Sequence, residues 1–171
     1  IPTNTPEFDQ AEKEVRDRIN QLINLGGSQS VESFHRRLGK IMWEKCGMAR
    51  NAEGLTAARR QIQELREEFY KDVFVPGSAT GDYNPELEKA LRVADFFEMG
   101  ELMVIDALNR EESCGGHFRE EYQTEDGEAR RNDQDFCYAA CWEFAGVGNR
   151  PNLHKENLVF ENIKLAQRSY K

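Results

Sequence analysis

From Leu55 to Val73 the residues Leu55, Ala58, Ile62, Leu65, Phe69 and Val73 follow one another at steps of three or four. That repeat places all six on one face of an α-helix. Between them lie Arg59, Arg60, Gln63, Glu64, Arg66, Glu67 and Glu68, a solvated side suited to i,i+4 charge pairs. A helix of this length is about 30 Å long. Its apolar face calls for covering elements, and similar spacing recurs on both sides of it.

Phe8, Ala11, Val15, Ile19 and Leu22 predict a first helix from about Pro6 to Leu25, ended by Gly26-Gly27. Ser30 is placed to cap a second helix, because its hydroxyl can accept a bond from a first-turn N–H. That helix carries Val31, Phe34, Leu38, Ile41, Met42 and Ala49 as its stripe, with Gly47 weakening the pattern near its end. Asn51 to Gly54 breaks the period, and residues 76–82 form a loop by composition. Asn84-Pro85-Glu86 opens a fourth helix with a capping side chain, a proline where no N–H is missed, and an acid at the positive end of the dipole. Leu87, Leu91, Ala94, Phe97, Leu102, Ile105 and Leu108 predict its apolar face, widened by Phe96, Met99, Met103 and Val104. A helix apolar over more than one stripe has more than one neighbour, so this one is expected to lie centrally or against something outside these residues.

After Arg110 the helical period stops. Residues 110–135 hold nine acidic residues against four basic ones and therefore most of the chain's net charge of −8. Phe136 to Phe144 and Leu158 to Ile163 predict two strands, with Gly146, Gly148, Asn149 and Pro151 as the turn region between them. The expected fold is mainly α: an up-and-down three-helix bundle, spectrin-repeat-like, with an extra N-terminal helix and a small C-terminal β-hairpin. The expected divisions are an N-terminal helix and linker over 1–29, the bundle over 30–110, and the loop and hairpin region over 111–171.

Several chemistries are excluded or disfavoured by the residues themselves. The net acidity argues against a nucleic-acid binder, which needs a clustered basic face. No apolar run of about 18 residues is present to span a membrane. There is no Walker loop, GxSxG or HExxH, and Gly146-Val147-Gly148 is a GxG without its third glycine or a following helix. Cys46, Cys114, Cys137 and Cys141 are expected to be reduced thiols, each behaving as a small buried hydrophobe. Cys114-x-x-His117 followed by Cys137 and Cys141 has zinc-like residue types. However, residues four apart on a strand lie about 13 Å from each other, so a metal site is not expected. The chain opens Ile1-Pro2-Thr3, without an initiator Met or a signal-peptide pattern, which suggests a processed or longer parent.

The segment from Arg110 to Arg119 mixes charges, a histidine and the adjacent glycines Gly115 and Gly116. Read by itself it is either a functional loop or a packing corner, the bland version being a helix C-cap at Gly115 with solvated charges. The segment also resembles the Arg-x-Glu-Ser-Arg-Gly-x-His-x-Arg motif in the C-terminal region of succinate dehydrogenase and fumarate reductase flavoprotein subunits. Here Arg110, Glu112, Ser113, Gly115, His117 and Arg119 match, and Cys114 stands where most of that family has arginine. The resemblance extends to Arg36, Leu38 and Gly39, to Met42-Trp43 and Cys46 through Arg50, to Leu55, to Ala94-Asp95-Phe96, and to Glu101-Leu102 with Asp106-Ala107-Leu108.

The resemblance implies a parent enzyme that carries FAD in an N-terminal dinucleotide-binding domain with an inserted capping domain. Such enzymes move a hydride between the succinate or fumarate skeleton and flavin N5, with a capping-region arginine handling the proton. Electrons then pass to an iron–sulfur subunit and a quinone site held by a membrane anchor subunit. By the same resemblance, the catalytic and FAD-binding residues lie upstream, so no catalytic, cofactor-binding or metal residue is expected among these 171, which alone should be inactive. The bundle would brace the FAD domain, with the loop of Arg110, Glu112, Ser113, Gly115, Gly116, His117 and Arg119 facing that domain or the active-site side. The location implied is cytoplasmic, peripheral at the inner face of the membrane. The related C-terminal domain of L-aspartate oxidase, or a free-standing helical interaction module, are the alternatives.

Overall fold

The computed structural model describes residues 2–77, 83–146 and 148–166. Most of the loop expected over 76–82, and Val147 of the GxG sequence, lie outside the described residues. The chain divides into two compact units, residues 1–108 and 109–171.

The first unit contains α1 (Pro6–Asn24), β1 (Gln29–Ser30), α2 (Val31–Lys45), β2 (Ala49–Arg50), α3 (Ala52–Asp72), β3 (Val73–Phe74) and α4 (Pro85–Asn109). Side-chain caps start the three bundle helices. Ser30 Oγ accepts from Ser33 N at 3.2 Å, Asn51 Oδ1 from Gly54 N at 2.8 Å, and Asn84 Oδ1 from Leu87 N at 3.0 Å. Each supplies an acceptor to an N–H that the helix itself cannot satisfy. The expected architecture is present: α2, α3 and α4 make the bundle, and α1 is the extra N-terminal helix.

Leu55, Ala58, Ile62, Leu65 and Phe69 of α3 are all buried, as their spacing requires. At the centre the Phe69 ring meets Phe34 of α2 edge-on at 5.3 Å and Phe97 of α4 at 5.5 Å. Across the α3–α4 seam, Glu101 accepts from Gln63 Nε2 at 2.6 Å, and its other oxygen lies 3.0 Å from Arg66, which also bonds Glu98.

Three details differ from the periodicity. Phe8 and Val15 of α1 are exposed, and only Leu22 is buried, because the helix meets the core through its last turn alone. Ala49 lies beyond the end of α2, in β2, so it is not part of that helix's stripe. On α4 the buried line runs through Ala90, Val93, Ala94, Phe97, Gly100, Val104, Ile105 and Ala107. Phe96, Met99 and Met103 stay exposed. Small residues on the contact line let α4 come close to its neighbours, with Gly100 facing Leu38 and Met42 of α2 and Ile62 of α3. The expected face is therefore present through Ala94, Phe97 and Ile105, with Leu87, Leu91 and Leu108 packed against the core, but it widens through Val104 and the small residues and not through Phe96, Met99 and Met103.

β1 and β3 pair in parallel, Gln29 with Val73 and Ser30 with Phe74, and so tie the chain before α2 to the end of α3. Gly27 makes this possible: it donates to Val73 O at 3.2 Å, and a Cβ there would overlap the Asp72 carbonyl group. Gly27→Ala is expected to cost about 2–3 kcal/mol by overpacking. Gly39→Ala, in open space on α2, should be neutral or stabilise by about 0.5–1 kcal/mol. Urea midpoints of the two variants check the contrast, and equal midpoints would refute the close approach.

The same corner carries a charge network. Arg37 grips Glu68 through both terminal nitrogens, and Gln29 Nε2 donates to the same carboxylate at 2.6 Å. These bonds hold the Glu68 pKa down to about 2. A carboxylate with a depressed folded-state pKa stabilises the fold above its unfolded value of about 4.3, and that contribution fades as pH falls toward 2. Because the pair is more than one-third exposed, solvent screening limits the effect to about 1 kcal/mol. Glu68→Gln should therefore be less stable than the parent at pH 6 and equal to it near pH 2. A stability gap that persists unchanged at pH 2 would remove the Arg37 pair as its cause.

The second unit contains β4 (Phe118–Arg119), α5 (Asp133–Phe136), β5 (Tyr138–Glu143) and β6 (Asn152–Asn157). β5 and β6 pair antiparallel in register from Tyr138–Asn157 to Glu143–Asn152. The first strand and the turn with Gly146, Gly148, Asn149 and Pro151 agree with expectation, except that Phe136 closes α5 rather than opening the strand. The second strand is misplaced by the pattern. It is the polar Asn152–Asn157, and the aromatic and β-branched stretch 158–163 is not a strand. Register explains the difference, since β5 is six residues long and β6 meets all six before Leu158 is reached. The hairpin is largely exposed, so its second strand needs no apolar alternation.

Candidate functional site

α4 ends at Asn109, and the chain then turns back on itself. Cys114 and His117 exchange backbone hydrogen bonds of 2.8 and 3.1 Å, leaving Gly115-Gly116 as the tip of a tight turn. Gly115 has φ +59, the left-handed region in which a side chain is strained. It therefore serves a hairpin turn, not a helix C-cap, because the helix stops six residues earlier. Nor are all its charges solvated: Glu112 and Arg119 are 2% and 3% exposed, and Ser113 between them is fully buried.

Each buried polar group has a specific partner. Ser113 Oγ accepts from Arg119 N at 2.8 Å and donates to Arg119 O at 3.1 Å, while Ser113 N donates to Arg130 O at 2.9 Å. Glu112 accepts from Arg110 Nε at 2.9 Å through one oxygen and from Asn132 N at 2.8 Å through the other. Arg110 also donates to Phe136 O at 2.7 Å and lies over the Phe136 and Tyr138 rings. His117 Nε2 lies 2.8 Å from Arg110 O. A carbonyl can only accept, so that nitrogen carries the proton. Arg119 donates to Glu121 at 3.1 Å, and its guanidinium shares the Tyr122 ring with that of Arg130. Burial, then Glu111, pushes the Tyr122 phenol pKa up, with Arg119 opposing.

The structure thus brings Arg110, Glu112, Ser113, His117 and Arg119 together with three positions the sequence reading passed over: Asn132, Tyr122 and Arg130. The acidic stretch was legible only as net charge, because its pairings join residues about twenty apart with no period to expose them. Chemically the arrangement is a closed knot of charge-assisted hydrogen bonds, which fixes backbone segments against one another. A cavity of about 320 Å³ in the same unit is lined by Asn109, Trp142, Arg150, Pro151, Asn152 and Leu153, none of them from the 110–119 loop.

The cysteines depart from expectation. All four are free thiols, but only Cys46 is fully buried, and burial pushes its pKa up. Cys137 follows α5 and precedes the strand, while Cys141 is exposed on β5. Among the described residues no group of three or more His, Cys, Asp or Glu is placed to hold a metal ion. The described glycines do not form a phosphate cradle either. β1 runs directly into α2 at Ser30–Val31, and Gly26-Gly27 and Gly115-Gly116 lie in turns that open no helix.

Fold and site together define a helical-bundle domain with a hydrogen-bonded polar knot and a hairpin tail. The family model described as fumarate reductase flavoprotein C-term matches residues 35–170. The chain belongs to that family, and so to a family of enzymes. It is 27% identical to a fumarate reductase flavoprotein subunit of Proteus vulgaris over 99% of its own length and 27% of the relative's. It is 31% identical to the corresponding Helicobacter pylori subunit over 75% of its length and 18% of the relative's. The chain therefore spans about a quarter or less of these relatives. A structure of E. coli quinol fumarate reductase shares the fold at TM-score 0.79 and 22% identity, over 98% of this chain and 27% of that one. Adenylylsulfate reductase from Archaeoglobus fulgidus shares it at TM-score 0.71 and 17% identity, over 89% and 25%.

Proposed function

We propose that this chain is the C-terminal helical part of a flavoprotein subunit that interconverts succinate and fumarate. Its role is to brace an FAD-binding domain contributed by the rest of the same polypeptide. The family match over residues 35–170 carries the reading, supported by relatives named as fumarate reductase subunits that are about four times as long. FAD would accept or donate the hydride in that domain, and the 171 residues alone would be inactive. The Arg110–Arg119 knot then acts as a rigid corner on the side facing that domain, held by Glu112 and Ser113. The divisions at 1–29, 30–110 and 111–171 belong to the same proposal.

An iron–sulfur subunit and a membrane anchor subunit complete the electron path. No described helix is long and apolar enough to cross a membrane, which accords with a cytoplasmic subunit held at the inner face by partners. The substrate reading rests on the sequence relatives, since the fold is also that of adenylylsulfate reductase. The experiment is a dye-coupled assay of the full-length flavoprotein with fumarate, succinate, L-aspartate and adenylylsulfate. Turnover of fumarate or succinate is expected. Turnover confined to L-aspartate or adenylylsulfate would overturn the reading.

A further inference from the structure

The stretch 158–166 carries the apolar residues that the sequence pattern assigns to a strand, yet among the described residues it has no strand partner. It is pinned at both ends. Leu158 N donates to Cys137 O at 3.0 Å, and Ala166 O accepts from Arg131 Nη1 at 3.0 Å. Arg131 is itself fixed by two bonds to Asp133, of 2.9 and 2.6 Å. Between the pins, Leu158, Val159, Phe160, Ile163 and Leu165 are all exposed, Val159 to 84% and Ile163 to 73%. Five large apolar side chains in eight positions, held outward, are unusual on a surface that faces water.

We propose that residues 158–166 form a strap that docks on the flavin-binding part of the same polypeptide, N-terminal to Ile1. This rests on the reading given under Proposed function and names the surface through which the contact is made. Three observations favour that occupant. The family model runs to residue 170, so the strap belongs to the shared region and is not an appendage. The fold match to quinol fumarate reductase covers 98% of this chain but only 27% of that one, so most of that polypeptide lies outside the equivalent of this chain and is available to cover it. Glu161 and Lys164 cancel, so the strap offers a neutral, apolar surface suited to a protein face and not to a charged ligand. A domain on the same polypeptide also meets the strap at a high effective concentration, which a separate subunit does not.

The test uses the full-length flavoprotein with the photocrosslinker p-benzoylphenylalanine at position 163, and in parallel the variant Val159→Asp/Ile163→Asp. Flavin absorbance is read first. Crosslinked peptides from N-terminal to Ile1 in the same polypeptide are expected. So is amide exchange across 158–166 that is slower by about 100-fold than in the 171-residue chain and that is lost in the double variant. A flavin-loaded protein whose crosslinks fall on another subunit or a second copy, or that gives no crosslink, overturns the strap alone. A flavin-free full-length protein overturns the parent reading, and the strap with it.

Discussion

Phe69→Ala is expected to cost about 4 kcal/mol, the largest effect of any single substitution in the bundle. Phe69 is fully buried and touches an aromatic ring on each of the other two bundle helices, Phe34 on α2 and Phe97 on α4, with Tyr70 beside it. Removing it loses the transfer free energy of the ring and leaves a cavity that three helices border and none can close alone. Phe69→Leu should recover about half of the loss by refilling part of that volume. Urea unfolding followed by circular dichroism measures both. A loss below about 1.5 kcal/mol for the alanine variant would mean that the three helices do not share one core.

Glu112→Ala is expected to cost about 3 kcal/mol, through a different term. The carboxylate is 2% exposed and holds the Arg110 guanidinium with one oxygen and the Asn132 N–H with the other. Truncation leaves a half-buried cation and a backbone donor without their acceptor, which costs more than the intact pair contributes. Glu112→Gln keeps an acceptor for Asn132 N and should lose less. Exchange of the Asn132 amide reports the site directly: fast in the alanine variant, slow in the parent. An unchanged rate would show that Glu112 does not anchor the segment.

These two sites mark how far the sequence could be read. Phe69 lies on a regular three-four repeat, and local periodicity is enough to place it in a helix and in the core. On α4 the same reasoning finds Ala94, Phe97 and Ile105 but passes over Ala90, Gly100 and Ala107 and widens the face toward the exposed Phe96, Met99 and Met103. Close approach between helices favours small residues, and a size-ranked apolar pattern does not carry that preference. The second hairpin strand fails for another reason. Asn152–Asn157 is selected by register against β5, while the stretch 158–163 has strand-like composition but no strand partner left among the described residues. At the Arg110–Arg119 loop the residues were identifiable through a family motif. Their roles were not, because Glu112 and Ser113 find backbone partners at Asn132 and Arg130, some twenty residues on, and no periodic pattern marks those pairings. Cys114, the departure from the motif, sits at the turn beside Gly115, where its backbone bonds to His117 do not depend on its side chain.

We propose that these 171 residues brace a flavin domain and hold no flavin themselves. Purifying the 171-residue chain in the presence of FAD, then recording its visible spectrum and its dye reduction with succinate, tests this most directly. A colourless protein without succinate-dependent dye reduction is expected, with the full-length flavoprotein expected to be yellow and active. A yellow, FAD-loaded preparation of the 171 residues would contradict it.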